Sequence, residues 1–157
     1  MDIKLQITNR INEHFLRSMM QSNKTGIIII NRTNEIGKYI CSRVRYSNLP
    51  VRQSSGVKLS LPSTTLKSAH NYFTYFSVED QKKINDFLEA EFYRFFHRFM
   101  LTGDQFDIKK TKLIESFIMK LNLLNDDKIF ENLKKSDYRE RKKIEKFMLE
   151  TVHLSNY

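Results

Sequence analysis

Between Ser77 and Leu101 apolar residues return every three or four positions, as Ile84, Phe87, Leu88, Phe92, Phe95, Phe96, Phe99 and Met100. That is the period of an α-helix, so these side chains form one continuous stripe that must be buried against other parts of the chain. Ser77 with Asp80 three residues later reads as an N-cap and partial capping box, and Gly103 reads as the stop. Whatever lies before and after this helix has to pack against it.

Before it, Ile7, Ile11, Phe15 and Met19 lie four apart and predict a first helix within residues 3–21, broken by the run Ser22 to Gly26. Gly26 to Asn31 is nearly all isoleucine, which predicts a short central strand buried on both faces. Thr33 or Asn34 can cap a helix carrying Ile36, Tyr39, Ile40 and Val44 on one side. Val57, Leu59 and Leu61 alternate with Lys58 and Ser60, as in a strand with one wet face, so strand, helix and strand make a βαβ unit. Residues 63–71 are ambiguous, and Tyr72 to Phe76 predicts a third strand leading into the long helix.

After Gly103 the pattern is helical. Asp107 caps a helix holding Leu113, Ile114, Phe117, Ile118 and Leu121; Asn125 or Asp126 caps a short one with Ile129, Phe130 and Leu133. Ser136 or Asp137 opens a last one in which Ile144, Phe147 and Met148 face inward. Three helices joined by tight turns resemble a helix-turn-helix layout. The expected fold is therefore α+β. A basic α/β lobe of two or three strands (1–76) is covered by a long central helix (77–102) and followed by a trihelical region (107–154), all lobes of one unit.

At 157 residues such a chain can bury about two thirds of its unfolded surface without a disulfide or metal. Its one cysteine, Cys41, excludes an intramolecular disulfide and fits a reducing compartment. The longest aliphatic run is Ile27 to Ile30, so neither a signal-peptide core nor a membrane span is expected, and the cytoplasm is the expected location.

The formal net charge is +9, and its distribution narrows the partners. Residues 1–76 carry eleven Lys or Arg against three acids, and residues 107–157 carry twelve against nine. Such excess attracts polyanions, nucleic acid first among them. One candidate set is Lys134, Lys135, Arg139, Arg141, Lys142, Lys143 and Lys146, in or just before the last helix, where it can enter a groove or lie along phosphates. The competing reading is a solvated helix laced with Glu140, Glu145 and Glu150. A second set, Arg43, Arg45, Arg52 and Lys58, can converge on one surface with Tyr46 or Tyr72 available to stack on a base.

No residue is assigned to catalysis. His14, His70, His97 and His153 lack the spacing of a metal site, His97 reads as a packed, hydrogen-bonded residue, and neither metal nor cofactor is expected. The expected function is non-enzymatic binding of nucleic acid, duplex DNA ahead of RNA, as in a small regulator or accessory factor of a phage or mobile element. The alternative is a protein-interaction module, an inhibitor or assembly subunit, that meets an acidic partner. The aromatic run Phe92 to Phe99 is read as core, with a homodimer seam as its other use.

Overall fold

The computed structural model describes residues 1–52, 55–63 and 72–154; residues 53–54, 64–71, which include His70, and 155–157 lie outside them. Among the described residues it is a mixed α+β protein of five helices, a four-stranded mixed sheet and a two-stranded sheet. It divides into two compact units, Met1–Phe92 and Tyr93–Tyr157, with the boundary inside the long helix.

In the first unit the chain opens with a strand, β1 (Asp2–Leu5), ahead of the expected helix. The reason is local: Ile3 and Leu5 are buried while Asp2 and Lys4 point away, a period of two that the four-residue spacing further on had masked. Helix α1 (Arg10–Met19) starts where the Asn9 side chain accepts the Ile11 N–H at 2.9 Å, and it buries Phe15 and Leu16. A turn built on Asn23, whose Oδ1 accepts the Thr25 and Ile27 N–H groups, carries the chain from β2 (Gln21–Ser22) into β3 (Ile28–Ile29).

Strand β3 is an inner strand, as expected, but only one of its faces is covered: Ile28 and Ile30 are buried while Ile29 is 40% exposed. Helix α2 (Glu35–Ser42) follows, capped by Asn34, whose Oδ1 accepts the Gly37 N–H at 2.8 Å. Strand β5 (Val57–Ser60) then pairs parallel to β3, which completes the strand–helix–strand unit. The sheet order is β1-β5-β3-β2, with β1 antiparallel to β5 and β2 antiparallel to β3. The aromatic strand also forms, as β6 (Phe73–Tyr75), but it pairs antiparallel with β4 (Arg45–Ser47) in a separate two-stranded sheet. Helix α3 (Val78–Asp104) begins at Ser77, whose Oγ accepts the Asp80 N–H at 3.1 Å. Its first turns meet α1 through an edge-on contact of Phe92 with Phe15, and α2 through Phe87 stacked on Tyr39 with ring centroids 4.0 Å apart.

In the second unit the remaining turns of α3 pack with α4 (Lys110–Lys120) and α5 (Ile129–Leu154). Phe95, Phe96 and Phe99 of α3 surround Phe117 of α4 at centroid distances of 5.0 to 5.9 Å. Of the aromatic run, Phe92 and Phe96 are fully buried while Tyr93, Phe95 and Phe99 are half-buried, and Phe117 opposite them is fully buried.

Gly103 does not stop α3. It lies in the helix, and a Cβ there would sit 2.3 Å from Leu113 Cδ2, so the glycine is what lets α4 approach. The stop falls at Asp107, in the left-handed region with φ 54°, where the Ile108 and Asp107 N–H groups return to the Gly103 and Asp104 carbonyls. Asp107 therefore ends one helix and does not cap the next, whose N-cap is Lys109 without a side-chain hydrogen bond. Asn122, with the same φ of 54°, closes α4 in the same way.

The expected trihelical layout is not what forms. Asp126 caps a turn by accepting the Lys128 N–H, but the chain then runs as one helix, because nothing from Lys134 to Asp137 breaks it and Asp137 is held inside by Arg141. Nor do Ile144, Phe147 and Met148 face a core. They are 40%, 66% and 58% exposed, since α5 continues beyond the elements that cover its first turns.

Candidate nucleic-acid interface

One continuous helix sets the geometry of the first basic set. Lys135, Arg139, Lys142, Lys143 and Lys146 stand at steps of four, seven, eight and eleven residues, which places them on one helical face, and all five are exposed. Successive cations along the row from Lys135 to Arg139 to Lys143 are about 6 Å apart along the helix axis. An open groove of about 570 Å³ runs beside that row, with Tyr93, Asn132, Lys135, Arg139 and Lys143 in its lining.

The face is not wholly free of acids. Lys142 lies 3.9 Å from Glu145, Lys143 4.0 Å from Glu140 and Lys146 3.9 Å from Glu150, all on exposed side chains. Contacts this long between solvated side chains are worth at most about 1 kcal/mol and are easily exchanged for another anion. Lys134, Lys135 and Arg139 make no ion pair with the described residues. Lys134 lines a second cleft of about 390 Å³ with Lys110, Ile114 and Tyr138, and Lys135 and Arg139 of the row reach its edge too.

Arg141 is the exception in this set. Its Nε donates to Asp137 Oδ2 at 2.7 Å, one Nη donates to Asp104, and only a quarter of its side chain is exposed. Hydrogen bonding to Asp104 holds its pKa above the usual guanidinium value, against the opposing effect of burial. Its sequence neighbours gave no sign of this, since one carboxylate lies 37 residues away.

The second basic set divides similarly. Arg45 donates to the buried Asp80 at 2.5 Å, and this bond, ahead of those from Ser77, brings the Asp80 carboxyl down to about 2. Arg43 is half-buried with its guanidinium 4.8 Å from the Tyr39 ring centre. Arg52 and Lys58 are exposed, as are Tyr46 and Tyr72. Of the four bases, two are therefore engaged in holding the unit and two face solvent.

His97 is packed as its position suggested, with Nε2 3.0 Å from Ser136 Oγ, which ties α3 to α5. No carboxylate bonds His97 among the described residues, and the amides around Ser136 belong to the helix ladder, so the pair lacks the orienting acid and the oxyanion donors of a hydrolytic site. No group of three or more His, Cys, Asp or Glu side chains is placed to hold a metal among the described residues, and Cys41 is a free, half-buried thiol. No helix among them is long and apolar enough to cross a membrane.

No family model matches the chain, and no curated protein or solved structure resembles it at a significant level.

Proposed function

We propose that this chain binds nucleic acid without catalysing a reaction, duplex DNA ahead of RNA, through the outer face of α5. The observation that carries this reading is the row of exposed cations Lys135, Arg139, Lys142, Lys143 and Lys146 on one uninterrupted helical face. The rise of about 6 Å from Lys135 to Arg139 and from Arg139 to Lys143 is close to the spacing of successive phosphates along a strand, so these three can meet separate phosphates while Asn132 and Tyr93 line the adjoining groove. Contacts of this kind fix position and affinity more than sequence preference. Arg52 and Lys58 are the members of the second basic set that remain available to a polyanion. The work suits a small cytoplasmic regulator or accessory factor, such as a phage or mobile element carries.

The test is fluorescence anisotropy with a labelled DNA duplex and an RNA duplex of equal length, comparing the native chain with the Lys135→Gln/Arg139→Gln/Lys143→Gln variant. Affinity should fall for the variant at low salt, and equal affinity would remove α5 from the interface. A second reading, a module engaging an acidic protein, is favoured by the cleft where Lys110, Lys134 and Arg139 frame Ile114 and Tyr138. That partner would be sensitive to Tyr138→Ala and would leave duplex binding absent.

A further inference from the structure

The second unit holds a cleft between α4 and α5 that phosphate contacts do not explain. It measures about 390 Å³, within the range of about 300 to 1,000 Å³ that small-molecule sites occupy. Its lining is mainly apolar: Ile114 of α4, the Tyr138 ring of α5, and the carbon stems of the lysines and arginines around them. Ile114 is buried, whereas Tyr138 is 63% exposed, so an aromatic ring stands unpacked at the opening. The charge around this lining is one-sided. Lys110, Lys134, Lys135 and Arg139 are exposed and make no ion pair with the described residues. Of the acids there, Asp137 is already bonded by Arg141, which leaves Glu131 against those four cations.

We propose that the cleft takes a small aromatic carboxylate, its ring against Tyr138 and its carboxylate among Lys134, Arg139 and their neighbours. A neutral guest would leave those charges unused and a cationic one would be repelled, whereas an apolar body with one anionic end matches both parts. Aromatic pairs contribute beyond the area they bury, which favours a ring over an aliphatic chain. A protein segment fits less well, since among the described residues Tyr138 is the one large apolar side chain of the lining that is exposed, and a specific protein contact spans about 1,000 Å² or more. Lys135 and Arg139 line both this cleft and the groove beside Tyr93. A carboxylate drawn to them lowers the positive charge left for phosphates, so the ligand releases nucleic acid. That consequence rests on the reading of α5 as the nucleic-acid face; occupancy of the cleft does not.

Isothermal titration of the full chain with naphthoate, without nucleic acid, reads occupancy directly. Neutral naphthol should bind about tenfold more weakly, the loss of one charge-assisted pair. Tyr138→Ala and Lys134→Gln/Arg139→Gln, all at exposed positions, should each weaken naphthoate by about tenfold. Phe147→Ser should leave its affinity unchanged, because Phe147 lies outside the cleft. In anisotropy at matched ionic strength, near-saturating naphthoate should weaken the labelled DNA duplex by about threefold or more, and naphthol should not. Absence of naphthoate binding, or equal affinity for naphthol, overturns the proposal, as does a loss of binding in Phe147→Ser that Tyr138→Ala does not show. Naphthoate that binds and leaves duplex affinity unchanged overturns the release of nucleic acid. A chain that binds no duplex removes the nucleic-acid reading, while the titration still decides the cleft. A glutamate-rich peptide carrying one phenylalanine that binds through Tyr138, where naphthoate does not, overturns the proposal in favour of an acidic protein.

Discussion

Arg45 and Asp80 stand 35 residues apart in the chain and meet at 2.5 Å, one on β4 and the other in the first turn of α3. Asp80 also receives the Ser77 hydroxyl at 2.5 Å, so a single buried carboxylate both orients the serine that caps the long helix and fastens the helix to β4.

With its carboxyl at about 2 in the folded state against an ordinary 3.8, Asp80 contributes stability that is fully present above pH 4 and is lost as pH falls toward 2. The contribution is about 2 kcal/mol. The Asp80→Asn variant should be less stable than the native chain at neutral pH by about that amount and should lose less on acidification. Urea denaturation followed by circular dichroism between pH 7 and pH 2 measures both.

Gly103→Ala tests the close approach of α3 and α4. In an isolated helix the change would be favourable by about 1 kcal/mol. Here the new methyl meets three atoms of Leu113 within 3.0 Å, so a net loss of about 1 to 3 kcal/mol is expected. Leu113→Val should relieve part of it, and a double-mutant cycle in urea will show the coupling.

Arg141 and its basic neighbours should separate by assay. Arg141→Ala strands Asp137 and Asp104 without their shared guanidinium, and should cost about 2 to 3 kcal/mol of stability. Arg141→Lys should recover only part, because an ammonium cannot span two carboxylates as the planar fork does. Gln at Lys135, Arg139 and Lys143, which lie on the surface, should change stability by no more than about 0.5 kcal/mol each in the same denaturation series.

The same three substitutions should alter the salt dependence of duplex binding. Each phosphate contact removed lowers the slope of log affinity against log salt by about 0.9, so the triple variant should lose about 3 from the slope. Arg141→Ala should leave the slope unchanged. Anisotropy titrations at several salt concentrations distinguish the two cases.

Much of this molecule could be read locally. The isoleucine run, the alternation of Val57 to Leu61, the caps at Asn34 and Ser77 and the stripe of α3 follow from side-chain period and short-range hydrogen bonding, which operate over a few residues. The spacing of Lys135, Arg139, Lys142, Lys143 and Lys146 is equally a property of the sequence once the helix is continuous. Where two local patterns competed, as in residues 2–19, the strand and the helix took separate stretches, and periodicity alone did not mark the boundary.

What folding in space decided was the company each residue keeps. Arg45 and Arg141 resemble their neighbours in type and spacing, yet each is held by a carboxylate more than thirty residues distant, which takes it out of the set of free cations. Gly103 looked like an ending and became a contact, because Leu113 of another helix occupies the space a side chain would need. Ile144, Phe147 and Met148 have the spacing of a core, and no described residue covers them. Periodicity determines which side of a helix is apolar, whereas only the reach of the elements packed beside it determines how much of that side is buried.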